Sequence, residues 1–125
     1  MVRLDHLILR VRSVPVSVRF YGAVLGLPHE GRQGPFDVLR IDPGSVIDLL
    51  EAEPRDEAHL AFHMDRARFA QVRERLLAAD IPFGGDPFSR DGRIRPQFGA
   101  GGWADALYFH DPDHHNLEIR TDDAR

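Results

Sequence analysis

Cysteine is absent from the 125 residues. That absence excludes disulfides, thiolate metal ligands and a cysteine nucleophile together. An excess of charge is also missing: 16 basic against 20 acidic side chains leave a formal net charge of −4, which gives no electrostatic basis for binding nucleic acid. No apolar run approaches the ~20 residues of a membrane-spanning helix, so no membrane partner is expected. The first dozen residues interleave Arg3, Asp5, Arg10 and Arg12 with apolar side chains, which is not the pattern of a signal peptide. The expectation is a cytoplasmic protein with one compact domain, or two small halves sharing a core.

Two stretches organise what is present. Leu4-Asp5-His6-Leu7-Ile8-Leu9 and Glu57-Ala58-His59-Leu60-Ala61-Phe62 each place a histidine at the head of a strand-like run. After the first, Ser13 and Pro15 supply a helix start, Val16, Phe20, Val24 and Leu27 recur at helical spacing, Tyr21 and Leu25 widen the same face, and Gly26 marks the end. Strands are predicted near 28–33, 36–41 and 46–52, separated by Gly34-Pro35 and Asp42-Pro43-Gly44. After the second, Asp65 is placed to cap a helix over 66–79 with Phe69, Val72, Leu76 and Ala79 on one face. Strands are predicted near 82–84, 103–109 and 116–121, with a long glycine-, proline- and arginine-bearing loop over 85–102. The order is β-α-β-β-β twice, which divides the chain into modules 1–53 and 54–125 of an α+β fold.

Each module ends in a strand that carries a carboxylate between large apolar residues: Asp48 between Ile47 and Leu49, and Glu118 between Leu117 and Ile119. Such an acid is ordinary if it faces water and costly if it faces a cavity without a partner. Two histidines and two acids at matched places suggest a cation as that partner. Imidazole and carboxylate together suit Zn, Ni, Fe(II), Mn or Co. The competing reading is two satisfied structural histidines and two solvated acids.

The motifs resemble a known family over essentially the whole chain. They are Leu4-Asp5-His6-Leu7, Ser17-Val18-Arg19-Phe20-Tyr21 with Val24-Leu25-Gly26-Leu27, Ala58-His59-Leu60-Ala61-Phe62, Leu107-Tyr108-Phe109-His110-Asp111-Pro112-Asp113 and Asn116-Leu117-Glu118-Ile119. Together they resemble the vicinal oxygen chelate superfamily: glyoxalase I, fosfomycin-resistance thiol transferases, bleomycin-resistance proteins and extradiol dioxygenases. The resemblance implies two βαβββ modules forming a U-shaped, half-open mixed sheet barrel with helices outside, around one divalent metal that takes two oxygens of a small substrate.

His6, His59 and Glu118 match the family's widespread ligand positions, and Asp48 falls where glyoxalase I carries a glutamate one methylene longer. Glu118 is thereby also a catalytic candidate. Tyr108 resembles a tyrosine that hydrogen-bonds the bound ligand in some members; its other reading is a strand tyrosine packed on the core. Arg93 and Arg95, with Arg90, lie in the 85–102 loop, which either closes over an anionic substrate or is simply solvated. His29, His63, His110, His114 and His115 are read as surface residues. His114 stands where relatives often have glycine, which implies a positive φ. The family also implies a homodimer.

The residues fit some members less well than others. Ile8 and Ala106 replace the threonine and serine expected of a fosfomycin transferase. The function implied is therefore a metal-dependent, glyoxalase- or dioxygenase-like enzyme: a lyase, transferase or dioxygenase of unassigned substrate. The alternative is a metal-free binding or sequestering protein of the bleomycin-resistance type.

Overall fold

The computed structural model describes residues 1–122. The chain divides into two compact units, Met1–Glu57 and Ala58–Arg125, each an open mixed sheet with one helical segment against it. The expected α+β class is what forms. No described helix is long and apolar enough to cross a membrane.

In the first unit, β1 (His6–Val11) leads into α1 (Val14–Phe20). Ser13 caps that helix, its hydroxyl accepting from the Val16 amide at 3.3 Å, with Pro15 in the first turn. The helix passes directly into a π-helical turn, Tyr21–Leu25, closed by Gly26 at φ 72°. That left-handed conformation suits glycine because it has no Cβ. Strands β2 (His29–Gln33), β3 (Phe36–Asp42) and β4 (Ser45–Glu51) complete a sheet of order β1-β4-β3-β2. The β1–β4 pair is parallel and the others antiparallel.

The helical face is the expected one at Tyr21, Val24 and Leu25 and differs at its start. Ser17, Tyr21, Val24 and Leu25 are buried, whereas Val16 is exposed. A π turn holds one residue more than an α turn, so positions on either side of it do not share one 3.6-residue repeat. This face meets a core of Leu9, Val11, Leu39, Ile47 and Leu49, none more than 2% exposed. Full burial of each such side chain contributes about 1.5–3 kcal/mol.

In the second unit, β5 (His59–His63) is followed by α2 (Arg66–Ala78), capped by Asp65 through the Arg68 amide at 2.8 Å. Phe69, Val72 and Leu76 are buried as expected, and Ala79 is exposed. Strands β6 (Phe83–Gly84), β7 (Arg95–Gly99), β8 (Gly102–His110) and β9 (Asn116–Thr121) give the order β5-β9-β8-β6, with β7 also paired to β8. β5 runs parallel to β9.

Strand β7 corrects the expectation of a continuous loop over 85–102. It forms an antiparallel hairpin with β8, Phe98 opposite Trp103 and Gly99 opposite Gly102. Pro96 is tolerated because β7 pairs on one side only and has no inner ladder bond to lose there. The remaining segment is pinned at Asp86, whose carboxylate accepts from the Phe88 amide (2.8 Å) and the Ser89 hydroxyl (2.9 Å). The Arg90 guanidinium adds a bond to Asn116 Oδ1 at 2.8 Å.

Candidate functional site

The two units place their histidine and carboxylate in the same register. In the first, Ile8 is the Cα partner of Asp48; in the second, Ala61 is the partner of Glu118. Each acid therefore lies across a parallel strand pair from the residue two beyond the histidine. Side chains alternate along a strand, so His6, Ile8 and Asp48 share one face, and His59, Ala61 and Glu118 share another. In both units the opposite face carries the core, with Leu9, Ile47 and Leu49 in one and Leu117 and Ile119 in the other.

Both histidines also engage the same nitrogen. Asp5 Oδ2 accepts from His6 Nδ1 at 2.7 Å, and the Asn116 carbonyl accepts from His59 Nδ1 at 2.9 Å. In a neutral ring this hydrogen bonding places the proton on Nδ1 and leaves the lone pair on Nε2. Asp5, by its hydrogen bond, and the charge of Asp48 raise the His6 pKa above its ordinary value.

Glu118 is a buried carboxylate, its side chain 5% exposed. His59 Nε2 lies 3.2 Å from Oε1. Arg120, two residues on and on the same face, donates from Nη1 to Oε2 at 2.7 Å. Tyr108, the Cα partner of Glu118 on β8, donates its hydroxyl to the same carboxylate and stacks its ring on His59 at 5.8 Å and 18°. Burial first, then the charge of Glu118 and this hydrogen bond, push the phenol well above its ordinary range. Tyr108 is thus buried in the sheet, beside the candidate residue Glu118.

His59, Glu118 and Arg120 line a cavity of about 520 Å³ with Ala61, His63, Asp122 and the 98–101 turn. Arg93 and Arg95 are not among its lining residues; both lie against Asp91, at 3.9 and 3.5 Å. Two residues escaped the sequence reading. Arg120 was not singled out, although strand alternation from Glu118 puts it on the same face. His63, read as a surface residue, is exposed but lines the cavity, where its Nε2 lies 2.7 Å from Asp122.

Among the other histidines, His115 is buried at 2% exposure, which corrects its reading as a surface residue. Its Nδ1 accepts from the Ala58 amide at 2.9 Å, because Asp111 draws the 111–115 turn inward by accepting from the Asp113 and His115 amides. His114 takes the expected positive φ, 66°, and stacks on His110 at 3.6 Å. His29 pairs with Asp37 at 3.0 Å.

Among the described residues, no three histidine, aspartate or glutamate side chains group as a metal site. The chemistry of the pair His59 and Glu118 fits a divalent cation. A neutral His59 turns a lone pair toward a carboxylate oxygen, and two acceptors 3.2 Å apart require a proton or a cation between them. An imidazole whose other nitrogen donates to a carbonyl or carboxylate is also the usual form of a metal-ligating histidine, and both His6 and His59 have it.

The chain belongs to the Glyoxalase/Bleomycin resistance protein/Dioxygenase superfamily, which it matches over residues 3–119. It is similar to a structure described as Oxidase ChaP-H2, with 32% identity and a TM-score of 0.85 over 96% of this chain and 93% of that one. A second, Oxidase ChaP-H1, is 30% identical with a TM-score of 0.82, covering 97% of this chain and 96% of its own. The fosfomycin resistance protein FosX from Listeria monocytogenes shares the fold at 19% identity, with a TM-score of 0.70 over 97% of this chain and 93% of that one.

Proposed function

We propose that this protein is a divalent-metal-dependent enzyme acting on a small substrate that offers the metal two oxygens. His59 and Glu118 are the proposed donors of the second unit, and His6 and Asp48, in matching register, those of the first. The observation that carries the reading is the approach of His59 Nε2 to Glu118 Oε1 with Nδ1 already committed to the Asn116 carbonyl.

A bound Zn, Ni, Fe, Mn or Co ion would supply Lewis acidity toward a substrate oxygen. The protein residues have separate tasks. Tyr108 keeps its proton and so presents a hydrogen-bond donor beside the carboxylate. Arg120 fixes the carboxylate orientation, and Asn116 and Asp5 fix the two imidazoles. Similarity to two structures described as oxidases makes dioxygen-dependent oxidation the first reaction class to assay. The family also suggests a homodimer, which light scattering on the purified protein tests.

Elemental analysis of protein purified without added metal is the primary test. The expected result is a transition metal at a fixed ratio to protein, lost in His59→Ala and Glu118→Gln variants that keep the native circular dichroism. Native protein that retains no metal under any loading would overturn the reading. One observation favours the alternative, a metal-free binding protein: Arg120 already supplies Glu118 with a positive partner beside an open cavity.

A further inference from the structure

Arg120 and Glu118 form a restrained pair. The Arg120 guanidinium is 9% exposed and the Glu118 carboxylate 5%. Nη1 takes Oε2 at 2.7 Å, while Nη2 donates to the carbonyls of Gln97 and Gly102, each at 3.0 Å. Gln97 is on β7 and Gly102 begins β8, so the fork is fastened to both strands of the hairpin and cannot turn freely with the carboxylate. Gly99 makes room for it. A Cβ there would lie 2.5 Å from Cζ and 2.6 and 2.8 Å from the two terminal nitrogens.

A carboxylate can bind a cation through one oxygen or through both. Here Oε2 is held in a short charge-assisted bond to a rigid donor, and only Oε1 faces His59. Two-oxygen ligation would make a cation share Oε2 with that bond, beside a fixed positive charge. We infer that Arg120 is a positioning residue that restricts Glu118 to one-oxygen ligation, seated there by the absence of a side chain at Gly99. The inference rests on the metal-dependent reading above. Its functional consequence is that the carboxylate uses one coordination position, which keeps another available to a substrate that binds through two oxygens. The cost is weaker hold on the metal, since a cation sits next to the ligand.

The test is cobalt(II) affinity of wild type, Arg120→Met and Gly99→Ala, measured by competition with a chromophoric chelator, together with the visible spectrum of each cobalt protein. Arg120→Met should bind cobalt more tightly, by roughly ten- to hundredfold, the usual scale of outer-shell effects on metal affinity. Its visible absorption per cobalt should weaken as the second oxygen joins. Gly99→Ala, which displaces the guanidinium but keeps the charge, should move both readouts in the same direction by less. Loss of the positive charge alone would tighten binding and leave the spectrum unchanged, so unweakened visible absorption, or equal or weaker cobalt binding, in a folded variant overturns the inference. Should Arg120→Met fail to fold, Gly99→Ala alone decides. Wild type that takes up no cobalt would remove the metal-dependent reading itself, an outcome distinguishable from the loss of the positioning role.

Discussion

His59 turns its free nitrogen to within 3.2 Å of a Glu118 carboxylate oxygen, across the parallel β5–β9 pair. Whatever neutralises that approach stabilises the fold, because Glu118 is nearly inaccessible to water. A cation that binds only the folded form should therefore raise the melting temperature. At a hundred times its dissociation constant, the gain is about 2.7 kcal/mol. Calorimetry with and without zinc or cobalt measures it, and the rise should vanish in His59→Ala.

Removing the arginine from the buried pair should be costly when no metal is added. Arg120→Met leaves Glu118 without its guanidinium, and loss of one partner of a buried ion pair typically costs about 3–5 kcal/mol. Urea unfolding at neutral pH checks this. The double variant Arg120→Met/Glu118→Gln should recover part of the loss, since no unpaired charge then remains. A double variant less stable than the single one would show that packing of the arginine stem, and not charge, dominates.

Tyr108 should resist ionisation. Its phenol is held above the ordinary range by burial, by the charge of Glu118 and by the hydrogen bond between them. Absorbance near the phenolate band should show Tyr108 still protonated where a free tyrosine is half ionised, and Glu118→Gln should bring its ionisation down. The folded state keeps a proton that the unfolded chain releases above about pH 10. The associated stability is present below that value and is lost as the pH climbs through the folded-state transition.

Asp86 gives the acid-side counterpart. The Phe88 amide, followed by the Ser89 hydroxyl, holds its carboxyl below the usual range. A depressed folded pKa stabilises above the unfolded value, about 3.9, and that contribution disappears as pH falls through the folded one. Thermal unfolding followed from neutral to strongly acidic pH should be less pH-sensitive at the acid end for Asp86→Asn than for wild type. Equal slopes would show that the 86–90 turn forms without the ionised carboxylate.

The repeated strand–helix–strand order was legible because its signals are local: Asp65 as cap, Phe69, Val72 and Leu76 at helical spacing, and the apolar alternation of β4 and β9. The register that places Asp48 and Glu118 alike was only implied, since it depends on strand pairing between distant segments. Strand β7 was hidden by Pro96 and Gly99, which weaken a strand signal and are tolerated here only at an edge and beneath a guanidinium. His115 read as exposed because its burial depends on Asp111 folding a turn inward, an interaction with no periodic signature. Arg120 needed only one further step, the alternation rule applied outward from Glu118.

The sequence has a single tryptophan, and its position makes the hairpin an optical reporter. Trp103 is the residue after Gly102, whose carbonyl holds Arg120, and its ring stands edge-on to Phe98 at 5.8 Å on an otherwise open tip. Any event that pulls the guanidinium off its seat frees the carbonyl next to that indole. Intrinsic fluorescence, with no label attached, should therefore follow events at a carboxylate on a different strand.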